Sequence, residues 1–203
     1  MEVLQNQDQK NHASFLQPAI QTIIKPSMFN IQPLNAVSVI AGPGSYTGLR
    51  VGLASAKGLC YALNIPLITL NTLEVMTMAA INSSTHQPIS SSTLFCPMID
   101  ARRNEVFTAV YNQQLQILMD PSVLILNENS FESFFQHHTV VFFGSGSAKW
   151  EAICTNVNMI HCDHVIPMVD AQVQLAYKKY QKRDFANMAY AEPDYLKNVY
   201  TSK

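Results

Sequence analysis

The sequence lacks an excess of either charge. Lys and Arg number 13 against 14 Asp and Glu, charged residues form only 13% of the chain, and the formal net charge is −1. Such a chain has no global positive field, so alone it should not bind nucleic acid by releasing counterions, and any RNA contact would need a partner. Its 203 residues, 48% of them hydrophobic, instead describe a soluble globular protein with one large domain or two small lobes.

Long apolar runs are missing as well. None approaches the roughly 20 residues of a membrane helix, and residues 1–12 are polar, without the hydrophobic core of an export signal. We therefore expect no membrane association and a cytoplasmic location. Cysteines are few and widely spaced, at positions 60, 96, 154 and 162, which indicates reduced thiols rather than a disulfide framework.

The apolar residues repeat with the periods of alternating helices and strands. In residues 13–24, Leu16, Ile20 and Ile23 lie on one face of an amphipathic helix. Residues 36–40 are short and β-branched and lead into Gly-Pro-Gly, which predicts a buried strand before a tight turn. Further strands are predicted over residues 65–70, 93–99, 105–111, 121–126 and 139–143, and further helices over 71–81 with Thr72 as cap, 131–135, 144–154 and 169–183.

The helix predicted over residues 47–64 is apolar nearly all round. It carries only two charges, Arg50 and Lys57, so it has to be covered on most sides by its own sheet, by a neighbouring helix or by another protein. Small residues recur every four positions and would let a second backbone approach closely. Packing within the chain and packing against a partner both explain this stripe, which consists of Gly48, Gly52, Ala56 and Cys60.

The chain shows signs of two lobes and of an internal duplication. Residues 86–92 are polar and break every periodicity, which predicts an N-terminal lobe over 1–85 and a C-terminal lobe over 93–203. Residues 37–45 and 140–147 repeat one order of strand, glycine loop and helix start. The second copy has a hairpin in front of it, at 93–111, for which the first copy offers no counterpart. We therefore expect the first lobe to lack its first β-hairpin.

Several motifs resemble the TsaB (YeaZ) family of tRNA threonylcarbamoyladenosine biosynthesis. The longest covers residues 41–59, AGPGSYTGLRVGLASAKGL, and shorter ones are IDARRNEV at 99–106 and EPDYLK at 192–197. The resemblance implies an actin-like ATPase fold, an α/β architecture of two duplicated ribonuclease-H-like lobes. Proteins of that family begin with two further strands, and of the two explanations for their absence here we favour a start codon assigned too late over a truncated gene product.

The loop after the first predicted strand is a weak candidate for anion binding. Gly42, Gly44 and Ser45 lie at a strand-to-helix turn, where backbone amides and a helix N-terminus could hold an anion. The loop has neither the Gly-Lys-Ser/Thr of a P-loop nor the spacing of a dinucleotide fingerprint. Glycines that serve only the turn and the packing of the helix are the favoured explanation, so no cofactor is predicted.

No catalytic or metal site is predicted. The related enzyme family TsaD has a His-x-x-x-His metal pair, and by resemblance those positions fall on Thr72 and Met76, neither of them suitable. Residues 161–164, His-Cys-Asp-His, alternate sides in an extended segment and cannot close one site. A hydrolase triad of Ser45 with His12 and Asp100 lacks the Gly-x-Ser-x-Gly elbow.

The resemblance implies a scaffold subunit without its own catalysis. It would bind TsaD through the helices at 13–24 and 47–64, and together with TsaE the complex would modify the adenosine beside anticodons that read ANN codons. The chain would meet tRNA only in that complex and could also form a homodimer; the alternative is a stand-alone actin-like ATPase or peptidase-like hydrolase. Arg102 and Arg103 are either solvated or paired with a partner. The interface residues expected are Leu16, Ile20, Ile23, Gly48, Arg50, Gly52, Ala56 and Cys60.

Overall fold

The computed structural model describes residues 2–6, 12–24, 34–83, 90, 92–163 and 167–197. Within these ranges the chain is a mixed α/β protein, as predicted, and the main predicted helices and strands are confirmed with shifts of a few residues at their ends. The elements are α1 (His12–Ile24), β1 (Val37–Gly42), α2 (Tyr46–Leu63), β2 (Leu67–Asn71), α3 (Thr72–Ser83), β3 (Thr93–Asp100), β4 (Glu105–Tyr111), β5 (Ile117–Ile125), α4 (Glu132–Phe135), β6 (Thr139–Phe143), α5 (Ser147–Glu151), β7 (Met159–Cys162) and α6 (Val169–Gln181).

The chain forms two compact units. The first comprises Met1–Leu70 and Ala176–Pro193, and the second comprises Asn71–Leu175 and Asp194–Lys203. This division differs from the predicted lobes 1–85 and 93–203, because α3 packs on the strands of the second unit. The polar stretch at 86–92 thus follows a helix that already belongs to the second unit.

The first unit is built around α2. Its two strands, β1 and β2, are neighbours in one sheet, and Leu53, Cys60 and Leu67 form the buried core with Val39 packed against it. The chain returns to this unit near its end, where Ala186 bridges to Leu67 in antiparallel fashion.

The second unit contains a five-stranded sheet in the order β5-β4-β3-β6-β7. β3 runs antiparallel to β4 and parallel to β6, so the predicted hairpin is confirmed, and β7 extends the sheet beyond β6. One face buries an aromatic cluster in which Phe131 and Phe142 surround Trp150, with ring centroids 5.2 and 5.7 Å from the tryptophan.

Helix α3 covers the other side of β3 and β4. Its Leu73 packs with Ala109 and Tyr111, and all three are buried. Asn71, rather than the predicted Thr72, caps this helix, because its Oδ1 accepts hydrogen bonds from the backbone amides of Leu73 (2.9 Å) and Glu74 (3.3 Å). Among all the helices that the structure describes, none has the length and apolar character to cross a membrane.

Candidate functional site

The glycine loop is a tight turn that leads into α2. Gly42 has φ +135°, a conformation that favours glycine. Ser45 caps α2, since its side chain accepts a hydrogen bond from the amide of Gly48 (3.4 Å). Because this side chain already pairs with an amide of the first turn, the loop is explained by its turn and by the cap. The anion site considered for Gly42, Gly44 and Ser45 has no further support among the described residues.

The predicted stripe of small residues faces the interior of the first unit. Ala56 is 4% exposed and Cys60 is fully buried. A Cβ on Gly52 would lie 3.6 Å from Cγ2 of Val39 on β1, and one on Gly48 would lie 3.5 Å from the side chain of Ser45. The stripe therefore lets α2 approach its own sheet at Gly52, and of the four stripe residues expected at an interface Ala56 and Cys60 are buried within the unit, whereas Gly48 and Gly52 are half-buried.

A series of exposed residues, with two small ones at its centre, follows the opposite side of α2. Arg50, Ala54, Gly58 and Tyr61 recur at helical spacing, and all four are exposed, Tyr61 by 81%. A Cβ on Gly58 would meet no atom within 4 Å. We call these four residues the outer face of α2. Only Arg50 was among the residues predicted for an interface.

Helix α1 lies beside α2 in the same unit. Gln17 Nε2 donates a hydrogen bond to Ser55 Oγ across the two helices (2.8 Å). Leu16 and Ile20 are half-buried, and Ile23 is 45% exposed. The predicted amphipathic face thus covers part of the unit and leaves its C-terminal end open to solvent.

The turn of the β3–β4 hairpin is fixed by Lys149. The ammonium of this lysine donates hydrogen bonds to Asp100 Oδ1 (2.6 Å) and to the carbonyl of Arg103 (2.6 Å). The hydrogen bond from Lys149, together with one from the amide of Arg102, holds the pKa of Asp100 below its usual range. Arg102 and Arg103 are exposed and adopt φ values of 70° and 50°.

A serine, a histidine and a glutamate form a hydrogen-bonded chain in the second unit. His161 Nε2 lies 3.0 Å from Ser147 Oγ, and Nδ1 lies 2.9 Å from Glu151 Oε2. A hydrolase would need an accessible nucleophile and free donors for the oxyanion. Ser147 is only 3% exposed, and its amide already donates to the carbonyl of Gly144 (3.1 Å). The chain of contacts therefore joins α5 to β7.

The hydrolase triad that was considered and disfavoured in the sequence has no support among the described contacts. Ser45 belongs to the first unit and caps α2, whereas Asp100 belongs to the second and binds Lys149. The side chain of His12 lies outside the described part of the chain.

The two positions that the resemblance aligns with a histidine pair carry neither histidine nor a carboxylate. Thr72 and Met76 lie one turn apart at the start of α3, and Met76 packs against two hydrophobic clusters of the second unit. A hydroxyl and a thioether in this setting do not fit a zinc or iron site. Of the predicted His-Cys-Asp-His segment, His164 lies outside the described residues, and within the described ranges no three histidine, cysteine or acidic side chains cluster.

Comparison with known families identifies the class of protein. The family model described as "TsaD: tRNA N6-adenosine threonylcarbamoyltransferase" matches residues 2–200. The chain therefore belongs to this family.

Within that family, the chain is similar to proteins named "tRNA threonylcarbamoyladenosine biosynthesis protein TsaB". The Escherichia coli protein is 25% identical over 200 residues, which cover 93% of this chain and 82% of the relative. The Haemophilus influenzae protein is 26% identical over 96% of this chain and 84% of the relative. The Bacillus subtilis protein is 34% identical, over 57% of this chain and 49% of its own length. The resemblance to TsaB is thus confirmed over most of the chain.

Solved structures support the fold. A Pseudomonas aeruginosa protein described as uncharacterized "with similarity to peptidase YEAZ" superposes with a TM-score of 0.76 at 19% identity, over 92% of this chain and 84% of its own. A structure of YeaZ from the same organism gives a TM-score of 0.69 at 21% identity, over 91% and 85%. At these identities the likeness concerns the α/β fold alone.

Proposed function

We propose that this chain is the TsaB-type subunit of the complex that forms N6-threonylcarbamoyladenosine in tRNA, and that it acts by binding TsaD. Membership of the family and the near full-length match to TsaB relatives support the pathway. The actin-like fold, the cytoplasmic location and the participation of TsaE belong to the same proposal. The proposal also includes a homodimer, which the chain forms through α1 and α2 when TsaD is absent.

The observation that carries the proposal is the outer face of α2. Ala54 and Gly58 present almost no side chain there, while Arg50 and Tyr61 stand at either end of them. The distance between two packed helices depends on the side chains at their contact, so this face suits a close helix–helix approach. The stacking of Arg50 over the Tyr46 ring, 4.0 Å from Cζ to the ring centroid, orders one end of the face.

The donor set on α3 supports the proposal of a non-catalytic role. The residues that would hold a metal in TsaD are here Thr72 and Met76, and Met76 serves the core of the second unit. Without imidazole or carboxylate ligands at these two positions, the start of α3 does not suit a zinc or iron ion. The role that we propose is therefore to supply a binding surface to TsaD.

The experiment is co-purification of the full chain with TsaD from the same organism. We expect Ala54→Arg to abolish association, because a long charged side chain would occupy the contact, and Ala189→Arg, at another exposed alanine of the first unit, to leave it intact. Formation of threonylcarbamoyladenosine by the reconstituted complex should follow association in each variant. Retention of TsaD by Ala54→Arg, or turnover by the isolated chain, would contradict the proposal.

A further inference from the structure

We propose that the turn of the β3–β4 hairpin, through Arg102 and Arg103, binds phosphate groups of the tRNA backbone. The inference rests on the proposed function, because it assigns this chain a direct contact with the RNA that the complex modifies. It also revises the expectation that the chain meets RNA only through a partner.

The first step concerns charge. In sequence the segment Asp100–Glu105 is balanced, with two acidic and two basic residues. In the structure, however, both acids are paired elsewhere: Asp100 binds Lys149 (2.6 Å), and Glu105 forms an ion pair with Lys197. Among the described residues, neither Arg102 nor Arg103 has a carboxylate partner. The tip of the hairpin therefore carries two uncompensated guanidinium groups in a chain whose net charge is −1.

The second step concerns backbone geometry. Arg102 and Arg103 both occupy the left-handed region, with φ of 70° and 50°, which costs free energy for residues other than glycine. The turn is nevertheless held: Lys149 Nζ bonds the carbonyl of Arg103, and Asp100 Oδ1 accepts from the amide of Arg102 (2.6 Å). Turns with positive φ ordinarily carry glycine or asparagine. Two arginines at positions that favour glycine therefore indicate that the arginine side chains have a function.

The third step concerns the ligand. Guanidinium groups match phosphate oxygens with paired hydrogen bonds, and contacts to phosphate supply much of the affinity of proteins for nucleic acids. Mononucleotides are bound in concave sites, whereas both arginines are exposed at the tip of a hairpin. Such a projecting tip fits the backbone of a polyanion, and the polyanion of the proposed function is tRNA.

The experiment measures binding of an unmodified tRNA transcript to the complex of the full chain with TsaD, by fluorescence anisotropy at several salt concentrations. Arg102→Gln/Arg103→Gln should weaken binding roughly tenfold at about 0.1 M salt and reduce the slope of log K against log salt by about 1.4–1.8. Lys178→Gln/Lys182→Gln removes two positive charges from exposed positions, one on α6 and one just after its end, and should leave both quantities nearly unchanged.

A glycine pair separates a ligand contact from a structural role. Arg102→Gly/Arg103→Gly should raise the thermal midpoint by about 2–4 °C, because glycine tolerates positive φ, and yet lose tRNA affinity like the glutamine pair. If the turn had only a structural role, the glycine pair would stabilise it and the complex would keep its affinity for tRNA.

Four results would overturn the assignment. The first is an unchanged tRNA affinity and salt slope in both arginine variants, and the second is an equal loss of tRNA affinity in the lysine control. The third is that the arginine variants lose binding to TsaD rather than to tRNA. The fourth is that free ATP competes with tRNA for the arginines. If the wild-type chain itself fails to bind TsaD, the proposed function and this inference fail together. If the wild-type complex modifies tRNA while the arginine variants bind it normally, this inference alone fails.

Discussion

Two glycines of α2 should respond oppositely to the same substitution. Gly58 lies on the outer face, where an added Cβ meets nothing within 4 Å. Gly58→Arg should therefore stabilise the free chain by about 0.5–1 kcal/mol through helix propensity alone. Gly52 faces β1, and its Cβ would already contact Val39 at 3.6 Å. Gly52→Arg forces a charged side chain between helix and sheet and should cost roughly 3 kcal/mol or more.

The assay is urea unfolding of the free chain followed by circular dichroism, with association to TsaD measured in parallel. Gly58→Arg should unfold at higher urea and fail to bind TsaD, whereas Gly52→Arg should unfold at lower urea. Gly52→Ala and Gly58→Ala serve as matched controls and should both fold, because a methyl group fits at each position. A destabilised Gly58→Arg, or a Gly52→Arg variant of normal stability, would refute the orientation of α2.

Two further predictions concern the second unit. Gly144→Ala should lower the free energy of unfolding by roughly 3–5 kcal/mol or prevent folding. The reason is that Gly144 has φ +98° and an added Cβ would lie 2.5 Å from both Met76 Cε and the carbonyl oxygen of Met98. A thermal midpoint near that of the wild type would contradict this prediction. Lys149→Met should lower the free energy of unfolding at pH 7, where Asp100 is ionised and pairs with Lys149. The difference in this free energy between wild type and variant should shrink as the pH falls below 3.8 and through the lowered pKa of Asp100. Protonation of Asp100 then removes the ion pair in the wild type as well. Unfolding by urea at a series of pH values measures it, and a difference that persists unchanged at low pH would show that the ion pair is not responsible.

Local patterns were sufficient to predict most of the elements. The helical spacing of Leu16, Ile20 and Ile23 predicted α1, and the β-branched and aromatic runs on either side of a charged turn predicted the hairpin of β3 and β4. Each of these signals involves residues that are neighbours in sequence, and the periods of 3.6 and 2 are properties of the backbone itself. The family resemblance added the class of protein.

The orientation of α2 could not be predicted, because its apolar residues surround nearly the whole helix. Two series of small residues, one through Gly52 and Ala56 and another through Ala54 and Gly58, fit a close approach equally well in sequence. Only the position of β1 distinguishes them, and that position depends on contacts between distant segments. The sequence therefore left both explanations of the predicted stripe open, and its residues were included in the expected interface, whereas Ala56 and Cys60 are buried within the unit.

The uncompensated positive charge of the hairpin turn could not be predicted for a related reason. Lys149 is 49 residues from Asp100, and Lys197 is 92 residues from Glu105. Neighbouring acids and bases in a sequence look mutually compensated, but ion pairs form between groups that the fold brings together. The two exposed arginines could be noticed in the sequence, whereas their lack of partners among the described residues could not.

The place of β3 at the centre of its sheet has a consequence for biosynthesis. β4 follows β3 directly and covers one edge, but β6, which covers the other, emerges from the ribosome about 40 residues later, a delay of several seconds at about 5–20 residues per second. During that interval a nearly uncharged strand shows an open edge to other nascent chains. That edge closes only when β6 pairs along the strand, in the register that matches Thr93 with Thr139 and Pro97 with Phe143.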